Sequence, residues 1–147
     1  MKKLLFAALL MISAAAGAQD LYMARTQLSF PEAMAVLQQS IKDRGYSISR
    51  VQRVDIGLTA SGFKTDKYRV VFFGRLDEVR ELTQQYPELI PYLPLKIAIF
   101  AENDETLLLA SSFEHLRPFY NSPALRSRFD GWEKVIRQIL EDVRKAQ

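Results

Sequence analysis

Asp55, in "VDIG", and Lys96, in "LPLKIAIF", are charges set inside or beside apolar runs of this 147-residue sequence. A charge left unpaired in such a setting is costly, so each needs a physical account. Three arrangements supply one. Strand alternation turns the side chain to solvent, or the two charges pair with each other or with other residues, or they grip a polar group in a shallow pocket. The last arrangement makes Asp55 and Lys96 the candidate ligand-binding residues.

Other chemistry is thinly supplied. His115 is the one histidine of the sequence, which excludes a multi-histidine metal site and a two-histidine mechanism. Ser111 and Ser112 stand close to it, but no G-x-S-x-G turn surrounds them, and His115 reads as part of the polar exit from a strand. Glu102, Asp104 and Glu105 offer oxygen ligands without the spacing or the glycine of a calcium loop, so they read as a solvated hairpin tip. Arg117, Arg126 and Arg128 bracket "PFYNSP", where an anion could sit, although arginines around a helix start commonly snorkel or pair with acids. "GLTASGF" lacks the register of a phosphate loop. The sequence has no cysteine, which removes thiol catalysis and zinc–thiolate sites. The residues imply no metal and no cofactor.

The elements that must position these residues follow from periodicity. "LYMARTQLSF", Leu21 to Phe30, reads as a first strand. Ser29, Pro31 and Glu32 form a capping box with proline in the first turn; Met34, Leu37 and Ile41 then mark a helical face that Gly45 stops. "YSISRVQRVDI", Tyr46 to Ile56, reads as a strand with a phase slip at Val51, and Gly57 to Asp66 as a loop. "YRVVFFG", Tyr68 to Gly74, is apolar on both faces and predicts an inner strand. Leu76, Val79, Leu82 and Tyr86 predict a second helix.

Pro87, Pro91 and Pro94 each remove a backbone donor and push the preceding residue away from helical geometry, so beyond Tyr86 only isolated turns are possible. This stiff connector delivers the chain into "LKIAIF", Leu95 to Phe100. "AENDE" then turns it into the return strand "TLLLASS", Thr106 to Ser112. Leu125, Phe129, Trp132, Ile136, Ile139 and Val143 recur at helical spacing to the C-terminus, starting from the cap Ser122-Pro123. A second capping pattern at Asp130 and Glu133 leaves one long helix and two shorter ones both open. The order strand, helix, two strands, helix, two strands, helix predicts an α+β two-layer sandwich: a mainly antiparallel sheet of about five strands with helices on one face.

"MKKLLFAALLMISAAAGA" has the three-part layout of a secretory signal, with cleavage expected after Ala18. Its apolar run is shorter than the roughly 20 residues a membrane-spanning helix needs. The remaining residues, 19–147, are expected to form a single domain in the periplasm or outside the cell. Loss of Lys2 and Lys3 lowers the bases from 20 to 18 against 17 acids. That near balance gives no basic face for nucleic acid, and no membrane association is expected once the leader has gone.

Taken together, these stretches resemble the bacterial family known as domain of unknown function 302. The likeness runs from "FPEAMAVLQQSIKDRGY" through "VDIG", "YRVVFFG" and "YLPLKIAIFAENDETLLLASS", and its most telling part is "LPLK", Leu93 to Lys96, ahead of a strand, an acidic turn and another strand. The resemblance implies a compact α+β domain, often exported in bacteria, with no established activity. Family members often carry Asp-His where Asp55-Ile56 stands, Asn-Pro where Arg75-Leu76 follows Gly74, and Asn-Asp-Pro where "SSFE" stands. Asp55, Gly74 and Lys96 match and the other positions do not, so the resemblance implies that this chain keeps part of any shared site.

The expected function is therefore a non-enzymatic module that binds a small ligand or a protein partner through Asp55 and Lys96. Two rivals stand beside it. One is a hydrolase-like or other enzyme using Asp or Glu with Lys or Tyr, because such residues need only converge in space. The other is a homo-oligomer, such as a homodimer, zipped along the stripe of the final helix.

Overall fold

Ser29 begins the first helix as its spacing to Glu32 requires: the Glu32 carboxylate accepts from the Ser29 backbone N–H at 3.0 Å and from its hydroxyl at 2.5 Å. The computed structural model describes residues 20–146, and the expected leader with its cleavage point lies outside them. Strand β1, Leu21–Thr26, precedes that start and is shorter than the expected Leu21 to Phe30. The Thr26 hydroxyl accepts from the Leu28 N–H at 3.2 Å, turning the chain out of the strand before the cap. Helix α1, Phe30–Asp43, then buries Ala33, Leu37 and Ile41. It ends at Gly45, whose φ of 74° suits a residue without a Cβ.

Strand β2, Ser47–Arg53, departs from expectation twice. Its register shift falls between Ile48 and Arg50, ahead of the expected Val51. In addition, the segment read as a strand end and a loop is a helix, α2, Val54–Ala60. Gly57 suggested the loop, since glycine inside a helix costs about 1 kcal/mol relative to alanine. Asp55 in the first turn offsets that cost, both toward the positive end of the helix dipole and through an ion pair with Arg69 of the next strand.

Strand β3, Tyr68–Gly74, leads to helix α3, Leu76–Gln85, and to a 3-10 turn, Pro87–Tyr92, that carries two of the three prolines. Of the stripe expected on α3, Leu82 is buried whereas Leu76 is 66% exposed, so only the end of this helix nearer the prolines meets the core. A cis peptide joins Leu93 to Pro94. Strand β4, Leu95–Glu102, pairs with β5, Glu105–Ser111, across a turn in which Asn103 takes a φ of 53°, a conformation asparagine tolerates. The chain ends in a single helix, α4, Pro123–Lys145, and Gly131 does not interrupt it. The Ser122 hydroxyl caps it by accepting from the Leu125 N–H at 3.3 Å.

The five strands form one antiparallel sheet in the order β1-β5-β4-β3-β2, which places β4 at its centre. Alternation sends Tyr22, Ala24, Val71, Phe73, Leu95, Ile97, Ile99 and Leu108 to one face, where they pack with α1 and α4 in a continuous core. This is the α+β sandwich with helices on one side. Every member of the α4 stripe, from Leu125 to Val143, is buried against that core. The stripe considered as a seam for a homo-oligomer is therefore packed within the chain's own core.

Candidate functional site

Lys96 is even in phase with Ala98 and Phe100, opposite to the buried Leu95, Ile97 and Ile99, so it stands on the sheet face that no helix covers. Solvation there removes the burial cost that its place in the sequence implied. Across the ladder it faces Phe72, and the β4–β5 register, with Ala98 opposite Leu109, continues to set it level with Ser111. Among the described residues no carboxylate pairs with its ammonium.

Two hollows meet at Lys96. One, about 120 Å³ in volume, lies at the end of the sheet. Leu95, Phe113, Leu116 and Ile136 give it an apolar floor, while Tyr92, Lys96, Ser111 and His115 form its polar rim. The other, about 270 Å³, lies along the open face between Leu21, Phe72, Lys96 and Leu109. The first is close in size to cavities of about 150 Å³ that accept a benzene ring. An apolar floor beside one unpaired cation suits a small organic anion: its body replaces water on the floor and its charge meets the ammonium.

Four features hold this hollow in shape. The 3-10 turn Glu114–Leu116 follows β5 and buries Leu116. Buried Glu133 of α4 accepts from the Phe113 N–H at 2.7 Å, tying the chain after β5 to the helix behind it. Arg117 then lies 3.3 Å from Glu133 and 2.8 Å from Asp130, and closes on Glu114 at 2.9 Å. Tyr92 is braced by an edge-on contact with Tyr120, with ring centroids 6.5 Å apart.

Asp55 is elsewhere. It lies on α2 and is bound by Arg69, whose position beside Val71 and Phe73 in the alternation belongs to the helix-covered face. Lys96 is on the other face, so the structure does not bring the two candidate ligand-binding residues together. The paired arrangement considered for Asp55 is realised with Arg69. That hydrogen bond, with added attraction from the same guanidinium, outweighs partial burial and holds the Asp55 carboxyl below its ordinary value of 3.8.

A carboxyl depressed by folding stabilises the fold above its ordinary value and loses that contribution as pH falls through the folded value. Protection of the α2 amides should therefore drop as pH falls below 3.8. Hydrogen exchange measures this, and Asp55→Asn should flatten the dependence.

The remaining sequence candidates separate as follows. Ser111, Ser112 and His115 do line the hollow at Lys96, but among the described residues no hydrogen bond joins His115 to either serine. The Ser112 hydroxyl instead accepts from the Glu114 N–H at 3.4 Å. Arg117 and Arg128 are held by acids, Arg128 by Glu78 at 2.7 Å and Glu81 at 3.3 Å. Glu102 and Glu105 both reach Arg25. Among the described residues no group of three His, Asp or Glu is placed to hold a metal ion. Tyr92 and Glu133 were missed; the level register of Lys96 with Ser111 was available from the hairpin, but the fold-back of α4 behind Phe113 was not.

An antiparallel five-stranded sheet with helices on one face and a polar-rimmed hollow at its end defines an α+β two-layer domain. The chain belongs to the family described as Domain of unknown function DUF302, which it matches over residues 22–143. It is similar in fold to a crystal structure of an uncharacterized conserved DUF302 protein from Bacillus stearothermophilus, with a TM-score of 0.77 at 20% identity, over 86% of this chain and 100% of that one. No curated protein matches the sequence.

Proposed function

We propose that this domain binds a small organic anion without turning it over, in the hollow at the end of the sheet, with Lys96 as the charge that selects it. One observation supports the reading above the rest: an ammonium with no carboxylate beside it, among the described residues, at the rim of an apolar-floored hollow. A catalytic reading would need a base or nucleophile oriented by a third group. His115 and Ser112 lack that connection. The signal-like leader supports placing this binding in the periplasm or outside the cell.

Sodium benzoate is a suitable probe, because it joins a ring of about the size of the hollow to a single carboxylate. By ligand-efficiency limits an anion of this size should bind with a dissociation constant on the order of 1 mM. Titration of isotopically labelled protein should move the amide resonances of Leu95, Lys96, Ser112, Phe113 and Leu116 together. Benzamide, equal in shape and without charge, should move them far less. Equal responses to the two compounds, or none at those positions, would remove the reading.

A further inference from the structure

We infer that the open sheet face is a self-association surface on which a second copy of this chain packs face to face, giving a four-layer α/β/β/α dimer. Its apolar middle is separate from the hollow at the end of the sheet and stands whether or not that hollow takes a ligand, although Lys96 borders both. An antiparallel sheet with one solvated side ordinarily alternates apolar inward and polar outward. Here the outward side is apolar through its middle: Met23, Leu109, Val70 and Phe100 fall on it by register, and Met23 is 57% exposed. Such a face is a mark of an interaction site.

Charge at its two ends identifies the occupant. Lys96 and Arg50 stand at the end where β4 begins, while at the other end the two carboxylates of the Glu102–Glu105 hairpin share the single guanidinium of Arg25, an excess of acid over base. A symmetric pair of stacked sheets has two simple choices of two-fold axis in the plane between them. An axis along the strands would set Lys96 over Lys96, because β4 is the central strand. An axis across the strands sets Lys96 of each copy over the acidic hairpin of the other, apolar middle on apolar middle. Attraction selects the second. The ammonium has three donors, so pairing in this way leaves one directed to the neighbouring hollow.

The size of the face sets the strength. Five strands at about 4.8 Å spacing and about 20 Å long offer roughly 480 Å² per copy, so the pair covers about 1,000 Å², at the lower bound of specific interfaces. The dimer should accordingly be reversible and populated above roughly 100 μM.

Sedimentation equilibrium of the purified protein between 10 μM and 1 mM, ranges set by that affinity, tests it. Wild type should follow a monomer–dimer curve. Met23→Glu, an exposed position whose change leaves the core untouched, should weaken the dimer at least tenfold, about 1.4 kcal/mol, with an unaltered circular dichroism spectrum. Lys96→Glu and Glu102→Lys, the latter also freeing Arg25 to turn to Glu105, should each weaken it, and the double exchange should restore it. A monomer at every concentration, a dimer indifferent to Met23→Glu, or a double exchange no better than either single change would overturn the inference.

Discussion

Phe129→Ala should lower folding stability by about 3–5 kcal/mol, the range for truncating a fully buried aromatic side chain. Phe129 has no exposed surface. Its ring stacks on Phe113 with centroids 5.3 Å apart and planes 5° apart, and meets Trp132 at 5.9 Å. The alanine variant removes one of three mutually touching rings, and the surrounding sheet and helix cannot fully relax into the space. For a chain of this size the melting temperature should fall by roughly 10–20 °C. Thermal unfolding followed by circular dichroism measures it; a fall of only a few degrees would mean that α4 is not the main lid of the core.

Glu133→Ala should cost about 2–4 kcal/mol, although the change removes no large apolar surface. Glu133 is 4% exposed. Its loss leaves the buried Phe113 N–H without an acceptor and takes one carboxylate from Arg117, which keeps Asp130 and Glu114. Glu133→Gln retains a carbonyl oxygen for the N–H and gives up only the charge, so it should recover about half of the loss. Urea midpoints of the two variants against wild type give the comparison. The alanine variant should also blur the benzoate-induced shifts at Phe113 and Leu116, since this contact anchors the wall of the hollow. Equal midpoints for the alanine and glutamine variants would show that the backbone acceptor does not matter.

The same contact shows where sequence reasoning stops. Elements with strong local signals were legible: the Ser29–Glu32 cap, the strand "YRVVFFG", the hairpin around Asn103 and the final helix all form as their spacing predicts. The α2 helix was not, because Gly57 and the β-branched residues Val54 and Thr59 argue locally against a helix. What favours that helix is a pairing between Asp55 and Arg69, fourteen positions apart, and no periodicity records it. The fate of Lys96 was half legible. Its phase against Leu95 and Ile97 shows that it leaves the core, but the hollow beside it needs Leu116 and Ile136, brought there by the docking of α4.

Asp55 and Lys96 drew the same suspicion for the same reason, a charge in an apolar run. The structure gives them different solutions, an ion pair on the helix-covered side and solvent on the open side. Residue type alone cannot separate these two outcomes; the side of the sheet does.

The most direct test of the account is the affinity of benzoate for Lys96→Met beside wild type. Methionine keeps a straight apolar stem and removes only the charge. The account predicts benzoate binding at least tenfold weaker, about 1.4 kcal/mol, with the weak benzamide response and the melting temperature unchanged. Benzoate binding that survives in the variant, or an equal loss for benzamide, would contradict it.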